Sequence, residues 1–292
     1  YLDEERGGEP VDTPALDRIA STGVVFEETY CQSPLCTPSR ISMLTGKEVR
    51  DSGGWRNGSV LPPNLTTLPQ VFSDAGYETS LIGKMHLGGE RQFCGFNSRP
   101  YGDLTGGAGH QYEPLYGSIG FESINVEQAA GKDLSHKVYG STWRHGAVKN
   151  TGVTEFPESL LQEENVVDET VAFLREHQNR SPDQPWFMCA SFSRPHPPFT
   201  APQRHFDRYW PDGVTEPDVW ERDDHPFTES VAQWFNTSEL TEEEHLRARA
   251  AYLACVTHLD EIIGDLMTTL EKDGFLEDTI VVYTSDHGDM TG

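Results

Sequence analysis

Residues 30–46 read YCQSPLCTPSRISMLTG, and the rest of the chain is organised around this stretch. Its prolines bracket a loop, and the residues that follow predict a short helix over 41–45 that Gly46 ends. Cys36 is then expected just outside the helix N-terminus, where unpaired N–H groups and the helix dipole favour an anion. Arg40, about one turn further on, adds a positive charge suited to oxyanions. Because a lone cysteine is more often simply a buried apolar residue, this functional interpretation needs support from elsewhere.

The composition is that of a globular chain long enough to bury a full core. Hydrophobic residues make up 36% and aromatic residues 10% of the 292 residues, as in ordinary folded domains. The formal net charge of -25 argues against nucleic acid as a partner, because its phosphates would be repelled. No apolar run approaches the roughly twenty residues that a membrane span needs, so none is expected.

The five cysteines show neither the spacing of a zinc site nor a dense disulfide pattern, and they do not identify the compartment. The chain opens on Tyr1 without an initiator methionine, so an earlier segment could have been removed. The location is unknown from the sequence, and a periplasmic or secreted one is favoured over a cytoplasmic one.

Predicted strands and helices alternate along the chain, which is typical of an α/β fold with a largely parallel central sheet and helices on both faces. The predicted strands are 24–26, 77–82, 186–192 and 279–283. The predicted helices are 13–22, 68–75, 157–177 and 241–272, the last with a capping box from Thr241 and Glu244. Two long segments, 88–154 and 200–238, are predicted as irregular loops that shape a substrate pocket.

Three of the predicted strands each end in a polar cluster. Lys84 and His86 follow the first, His196 lies in a proline-rich loop after the second, and Asp286 and His287 follow the third. Because ligands bind beyond the carboxyl ends of parallel strands, we expect these clusters to meet. Seven other histidines are expected to be surface or core hydrogen-bonding residues: His110, His136, His145, His205, His225, His245 and His258.

Four segments carry a resemblance to a known family, the type I sulfatases of the alkaline phosphatase superfamily. Cys36-Thr37-Pro38-Ser39-Arg40 resembles their Cys-x-Pro-Ser-Arg signature. The other three resemble their Gly-Lys-Trp/Met-His, Pro-His-x-Pro-Phe/Tyr and Ser-Asp-His/Asn-Gly segments, in the same order: Gly83-Lys84-Met85-His86, Pro195-His196-Pro197-Pro198-Phe199 and Thr284-Ser285-Asp286-His287-Gly288. The resemblance implies the alkaline-phosphatase/sulfatase-like fold and covers nearly the whole chain.

The resemblance also implies an activity, the hydrolysis of a sulfate ester, and a set of roles. Cys36 would be oxidised to formylglycine by a maturing enzyme, and its hydrated aldehyde would attack sulfur. Arg40 would orient the nucleophile and neutralise its surroundings, Lys84 and His196 would bind sulfate oxygens, and His86 would assist the aldehyde. Asp286 and His287, together with the modified Cys36, would bind a divalent metal, usually calcium. The substrate would be a sulfated small molecule or carbohydrate.

The match is expected to be incomplete at both ends. The family begins with a strand that ends in a pair of metal-binding aspartates, and the chain begins after that point. It also continues past the Ser-Asp-His-Gly segment to a further sulfate-binding lysine and a smaller C-terminal subdomain. Residues 1–292 are therefore expected to be the N-terminal catalytic domain of a larger protein, without its first strand and its C-terminal subdomain.

Two other functions fit the same residues. Phosphonate and phosphate mono- or diesterases of the superfamily share the Cys-x-Pro-Ser-Arg signature, although Lys84 favours a sulfatase because a lysine there suits a sulfate oxygen. The second alternative is a non-catalytic domain whose relic site binds an anion or a metal. The sequence indicates neither the particular substrate nor the oligomeric state.

Overall fold

The computed structural model describes residues 11–102, 151–154, 156–197, 199–215, 225–234, 237 and 240–289. The helices are α1 (Pro14–Thr22), α2 (Cys36–Thr45), α3 (Val49–Ser52), α4 (Leu68–Asp74), α5 (Gln162–Arg180), α6 (Gln203–Tyr209), α7 (Pro226–Trp234) and α8 (Glu242–Lys272). The strands are β1 (Glu78–Gly83), β2 (Ser98–Tyr101), β3 (Gly152–Val153), β4 (Trp186–Ser191) and β5 (Thr200–Ala201). None of the described helices has both the length and the apolarity needed to cross a membrane.

The main sheet is parallel, with strand order β2-β1-β4. β1 and β4 pair over their whole length, from Glu78 opposite Trp186 to Gly83 opposite Ser191. The shorter strands β3 and β5 form a second parallel pair. Because β1 and β4 run in the same direction and in register, the residues that follow Gly83 and Ser191 emerge at the same edge. This arrangement confirms the predicted parallel sheet.

Helices cover both faces of the main sheet, as the alternation of its side chains requires. On one face Phe187 and Cys189 of β4 pack with Ile41 and Leu44 of α2. On the other face the neighbouring β4 residues Trp186 and Met188 pack against a cluster from α5 and α8. Successive residues of one strand therefore enter two separate cores. The predicted α/β class with helices on both faces is confirmed.

The long helix α8 joins the sheet to the rest of the molecule. Thr241 and Glu244 form the predicted capping box, in which each side chain binds the other residue's backbone N–H. The middle of the helix is buried and packs against α6 and β5 in a third cluster. At its centre Asp260 accepts hydrogen bonds from the backbone N–H groups of Ala15 and Leu16, which fixes the first turn of α1.

Two predicted strands are not strands in the structure. Residues 24–26 form no strand, and Val24 and Phe26 are 78% and 79% exposed. Residues 279–283 were expected to be buried, yet Ile280 is 90% exposed and no described strand pairs with this segment. A β-strand is defined by backbone hydrogen bonds to a neighbour. Apolar side chains alone therefore produced a wrong prediction in both places.

Other boundaries also differ from the prediction. The helix expected over 157–177 begins with a separate 3₁₀ turn at Glu158–Leu160 and continues as α5. The segment 200–238 is wrongly predicted as irregular, because it contains β5, α6 and α7. The predicted loop 88–154 contains β2 and β3, and its residues 103–150 lie outside the described part of the chain. Tyr1 also lies outside it.

Candidate active site

The signature segment is buried and forms the start of α2. The helix begins at Cys36, with Leu35 as an extended N-cap residue, so the prediction that Cys36 precedes the helix is wrong. Pro38 lies in the first turn, where the backbone N–H groups have no partner inside the helix and a missing one costs little. Gly46 has a φ of 64° and ends the helix as predicted. Cys36 is only 6% exposed.

A sharp turn after β1 carries the next two site residues. Gly83 has a φ of +93°, and a Cβ atom placed on it would lie 2.0 Å from the carbonyl oxygen of Ser191. Only glycine permits this close approach of β1 and β4. Lys84 and His86 follow it and are buried, with 3% and 5% exposure. His86 has a positive φ of 53°, an unfavourable conformation that is concentrated at functional sites.

Arg40 connects four parts of the site. Its Nε donates to the Asp286 carboxylate at 2.8 Å, and its Nη1 donates to the Lys84 carbonyl oxygen at 2.8 Å. The same Nη1 donates to Ser191 Oγ at 3.2 Å. Both Arg40 and Asp286 are largely buried, so the charges pair where water screens them little. All three hydrogen bonds join Arg40 to other residues of the protein. Arg40 therefore positions its neighbours.

Cys36 and His287 form a further contact between α2 and the segment that ends the described chain. Cys36 Sγ lies 3.2 Å from His287 Nε2. Burial by itself raises the pKa of the thiol, but hydrogen bonds to His287 and His86 and the charge of Lys84 outweigh it, and the pKa falls to about 5. The hydrogen bond with Cys36 raises the pKa of His287 to about 9. With these pKa values, a thiolate and an imidazolium are favoured in the unmodified chain between pH 5 and pH 9.

Asp286 and His287 offer metal-binding atoms beside Cys36. The candidate ligand atoms of these three residues all lie within 4.8 Å of one another. Burial raises the pKa of Asp286, but the charges of Arg40 and His287 outweigh it and hold the pKa below its ordinary value. His287 Nδ1 lies 2.6 Å from the Gly288 carbonyl oxygen and donates to it. Metal-binding histidines commonly make this second bond, which here directs Nε2 towards the cluster.

His196 follows β4 in the loop fixed by Pro195 and Pro197. Burial lowers the pKa of His196 to about 3, and the electrostatic effects of Lys84 and His86 lower it further, so the ring is neutral. Its Nδ1 lies 2.6 Å from the Pro197 carbonyl oxygen and donates to it. The neutral ring therefore carries no proton on Nε2.

All the predicted site residues lie close together, because each either contacts another of them or changes its pKa electrostatically: Cys36, Arg40, Lys84, His86, His196, Asp286 and His287. Their expected roles in catalysis and metal binding stay predictions.

Three residues that support the site through hydrogen bonds are not among the predicted site residues: Asn57, Ser191 and Ser39. Asn57 accepts a hydrogen bond from the Thr37 backbone N–H at 3.1 Å. Ser191 accepts one from Arg40, and Ser39 donates to the Asp286 carbonyl oxygen. Ser191 could have been found, because it is the last residue of a strand that leads into His196. Asn57 lies in an irregular segment, and nothing in the sequence pointed to it.

Comparison with known proteins identifies relatives along nearly the whole chain. A sequence model described as Sulfatase matches residues 5–292. An arylsulfatase of Clostridium perfringens is 34% identical over 300 residues, which cover 98% of this chain and 60% of that protein. A choline-sulfatase of Rhizobium meliloti is 31% identical over 295 residues, which cover 96% and 53%. The chain therefore spans little more than half the length of these curated relatives.

Solved structures agree with this comparison at the level of the fold. A phosphonate monoester hydrolase of Agrobacterium radiobacter superposes with a TM-score of 0.74 at 22% identity, covering 99% of this chain and 60% of that one. A structure in complex with its substrate D-glucosamine-2-N,6-O-disulfate gives 0.62 at 23% identity, covering 97% and 62%. The sequence matches go further than the shared fold, and by them this chain belongs to the sulfatase family of the alkaline phosphatase superfamily.

Proposed function

We propose that the protein is a sulfuric ester hydrolase whose nucleophile is a formylglycine made from Cys36. The observation that carries this proposal is the burial of Cys36 at the start of α2, beside His86, Lys84 and His287. A sulfate monoester carries electron-rich oxygens around sulfur, so cations and donors aimed at those oxygens stabilise the charge that moves during transfer. When present, formylglycine supplies a hydrated aldehyde with one hydroxyl to attack sulfur and a second to expel sulfate.

Lys84 and His196 are the groups we assign to the sulfate oxygens. Lys84 is buried at the turn after β1, so its ammonium acts where water screens it little. His196 donates through Nδ1 to Pro197, so Nε2 must take up a proton before it can donate to an oxygen. An anionic substrate favours that protonation, because it opposes the burial and the positive neighbours that lower the pKa of His196. Substrate binding is then coupled to proton uptake.

Arg40 acts on the reaction through its neighbours. Its bonds to Asp286, the Lys84 carbonyl and Ser191 tie the start of α2 to the ends of β1 and β4. It therefore holds Asp286 ionised and keeps Lys84 in place, which preorganises the charges around the nucleophile.

A divalent metal fits the group formed by Asp286, His287 and residue 36. Asp286 supplies an ionised carboxylate, and His287 supplies Nε2 once its proton is lost. Such an ion polarises a bound oxygen and stabilises developing negative charge. We propose calcium on the family resemblance, with oxygen in place of Cys36 sulfur after modification. The nitrogen of His287 suits manganese or zinc better than calcium, so these ions are the comparison to make.

The modification itself is tested by mass spectrometry of protein from the native host. Cleavage after Arg18 and Arg40 releases a peptide, residues 19–40, that contains both Cys31 and Cys36. Cys31 is an exposed free thiol and serves as an internal control. We expect alkylation of Cys31 and an aldehyde in place of the Cys36 thiol. Alkylation of both cysteines would contradict the proposed nucleophile.

The reaction is tested with an aryl sulfate and an aryl phosphonate on full-length protein that carries formylglycine. We expect faster turnover of the sulfate, loss of turnover in Cys36→Ala and normal turnover in Cys31→Ala. Faster turnover of the phosphonate would identify a phosphonate or phosphate ester hydrolase. Binding of sulfate and metal without turnover would instead indicate a non-catalytic site.

We propose a sulfated small molecule or carbohydrate as the substrate, and a formylglycine-generating enzyme as a partner. Cys36 is 6% exposed in the fold, so that enzyme has to act before α2 is packed into place. We also propose that the protein is exported, which fractionation of the native host would test. Recovery in the cytoplasm alone would contradict export.

A further inference from the structure

A second cluster of potential metal-binding residues lies where three helical elements meet. Glu158 belongs to the 3₁₀ turn, Glu164 to the first turn of α5 and His258 to the middle of α8. One ligand atom from each of the three side chains lies within 4.8 Å of the other two. Glu158 and Glu164 are partly exposed, whereas His258 is 0% exposed. None of the three contributes to the site around Cys36.

His258 is the observation that sets this cluster apart from ordinary surface carboxylates. Within the described residues neither of its ring nitrogens has a hydrogen-bond partner, although both are shielded from solvent. The expectation that His258 is a core hydrogen-bonding residue is therefore wrong. Leaving a buried polar nitrogen without a partner is costly, and such groups are rare in folded proteins. A metal ion bound to one ring nitrogen of His258 would give that nitrogen a partner.

The two carboxylates of the cluster favour a cation, whereas the charges of Arg194, His205 and Arg204 oppose one, because they lower the pKa of His258 together with its burial. Burial raises the pKa of the Glu164 carboxyl, and the negative charges of Glu158 and Asp168 raise it further, so the carboxylates repel one another. Arg204 pairs with Glu158, but the carboxylate keeps acceptor capacity on its second oxygen. Burial lowers the pKa of His258 to about 3, so its ring is neutral and has a lone pair to donate. One neutral nitrogen and two carboxylates form a usual ligand set for a transition metal.

We propose that Glu158, Glu164 and His258 bind a structural divalent ion of the zinc or manganese class. The imidazole nitrogen argues against calcium, which prefers a shell of oxygens. Metal–ligand bonds of about 2.1 Å require the three ligand atoms to lie close together, so on binding the two partly exposed glutamates would have to rotate towards His258. The ion would link the 3₁₀ turn, α5 and α8.

The cluster lies next to a residue that contacts the loop carrying His196, so a bound ion would also affect the active site. Glu163, next to Glu164 in α5, accepts a hydrogen bond from the Arg194 backbone N–H at 3.1 Å and pairs with its guanidinium at 3.3 Å. Arg194 begins the loop that carries His196. An ion that fixes the start of α5 therefore also holds this loop in place. The proposed role of the ion is to position His196.

The test is a zinc titration of the full-length protein, followed by calorimetry and by metal analysis after gel filtration. Two variants remove ligands, Glu164→Gln and His258→Asn, and two matched controls on the same helices leave the cluster intact, Glu176→Gln and His245→Asn. We expect wild type and both controls to hold one more zinc per chain than either ligand variant, or to bind that zinc at least tenfold more tightly. Calcium is expected to leave this difference unchanged.

A thermal melt provides the second measurement. Zinc should raise the melting temperature of wild type and of Glu176→Gln more than that of Glu164→Gln. Glu164 is partly exposed and Glu164→Gln is a conservative substitution, so we expect this variant to fold. The proposal can therefore be tested with it even where His258→Asn fails to fold. Equal zinc content, equal affinity and an equal thermal shift in folded Glu164→Gln and wild type would overturn the proposal.

Discussion

Two regions of the molecule supply the two sides of the active site, and they are held in different ways. The region of α2 and β1 is fixed by helix hydrogen bonds and a parallel ladder, and it buries Cys36 and Lys84. The segment 279–289 has no paired strand among the described residues, and Ile280 is 90% exposed. Asp286 nevertheless lies within the site, held by Arg40 and Ser39. Secondary structure holds the residues of α2 and β1 in place, whereas side-chain contacts hold the segment 279–289.

The largest expected effect comes from cutting the link between these regions. Arg40→Met removes the closer ion-pair partner of the largely buried Asp286 and leaves it with His287 at 3.8 Å. We expect the free energy of unfolding to fall by about 4 kcal/mol, the usual cost of stranding a buried charge, in urea unfolding of the full-length protein. The matched control is Arg50→Met, because Arg50 pairs with Glu48 on the exposed surface. A similar small loss in both variants would show that Arg40 does not join the two regions.

The second effect concerns the backbone at the end of β1, in the region held by secondary structure. Gly83→Ala places a Cβ atom 2.0 Å from the Ser191 carbonyl oxygen at a φ of +93°. We expect a loss of about 3 kcal/mol in unfolding free energy, because both strain and a backbone clash oppose it. Gly46→Ala is the control, since Gly46 also has a positive φ but open space around it. Its expected loss is about 1 kcal/mol, and equal losses would exclude the clash.

The third effect is a pH dependence of the contact between Cys36 and His287, measured in protein that keeps the thiol. The folded pKa of Cys36 is depressed to about 5, and that of His287 is raised to about 9 from an ordinary 6.5. Between pH 5 and 6.5 the unfolded chain binds one proton more than the folded pair, so stability rises with pH. From pH 6.5 to 9 both states bind the same number of protons, which predicts a plateau.

This contribution amounts to about 2 kcal/mol, from one proton over roughly 1.5 pH units. It should be lost as the pH falls from 6.5 to 5, and His287→Gln should remove the difference. Unfolding curves at several pH values measure it. A wild-type profile that parallels His287→Gln across this range would show that the thiolate–imidazolium contact does not hold the segment.

The smallest effect lies outside both regions. Thr241→Ala removes half of the capping box of α8, a local feature that involves neither Cys36 nor Asp286. We expect a loss of about 1 kcal/mol in unfolding free energy, as for other N-cap substitutions. Turnover of an aryl sulfate should be unchanged. A substantial loss of turnover would mean that the start of α8 influences the active site directly.

The accuracy of the sequence predictions follows the same division between local and long-range causes. The capping box of Thr241 and Glu244 was predicted correctly, because both of its partners lie within one turn of helix. The helix at the signature was predicted over 41–45 with Cys36 before it, whereas α2 spans Cys36–Thr45, because several residues in that segment can begin a helix and packing selects among them. The strand predicted over 279–283 failed because apolar composition cannot supply the neighbouring strand that a ladder needs.

The sequence by itself determined the paired strands β1 and β4, the long helices α5 and α8, the polar clusters behind those strands, and the family to which the chain belongs. Those features depend on short-range patterns and on motifs of a few residues. Only the tertiary structure decided that Arg40 binds Asp286 and that Cys36 contacts His287 across 251 positions of sequence. It also decided that His258 is buried without a hydrogen-bond partner among the described residues. Such contacts depend on which distant groups share a site after packing, and no local pattern encodes that.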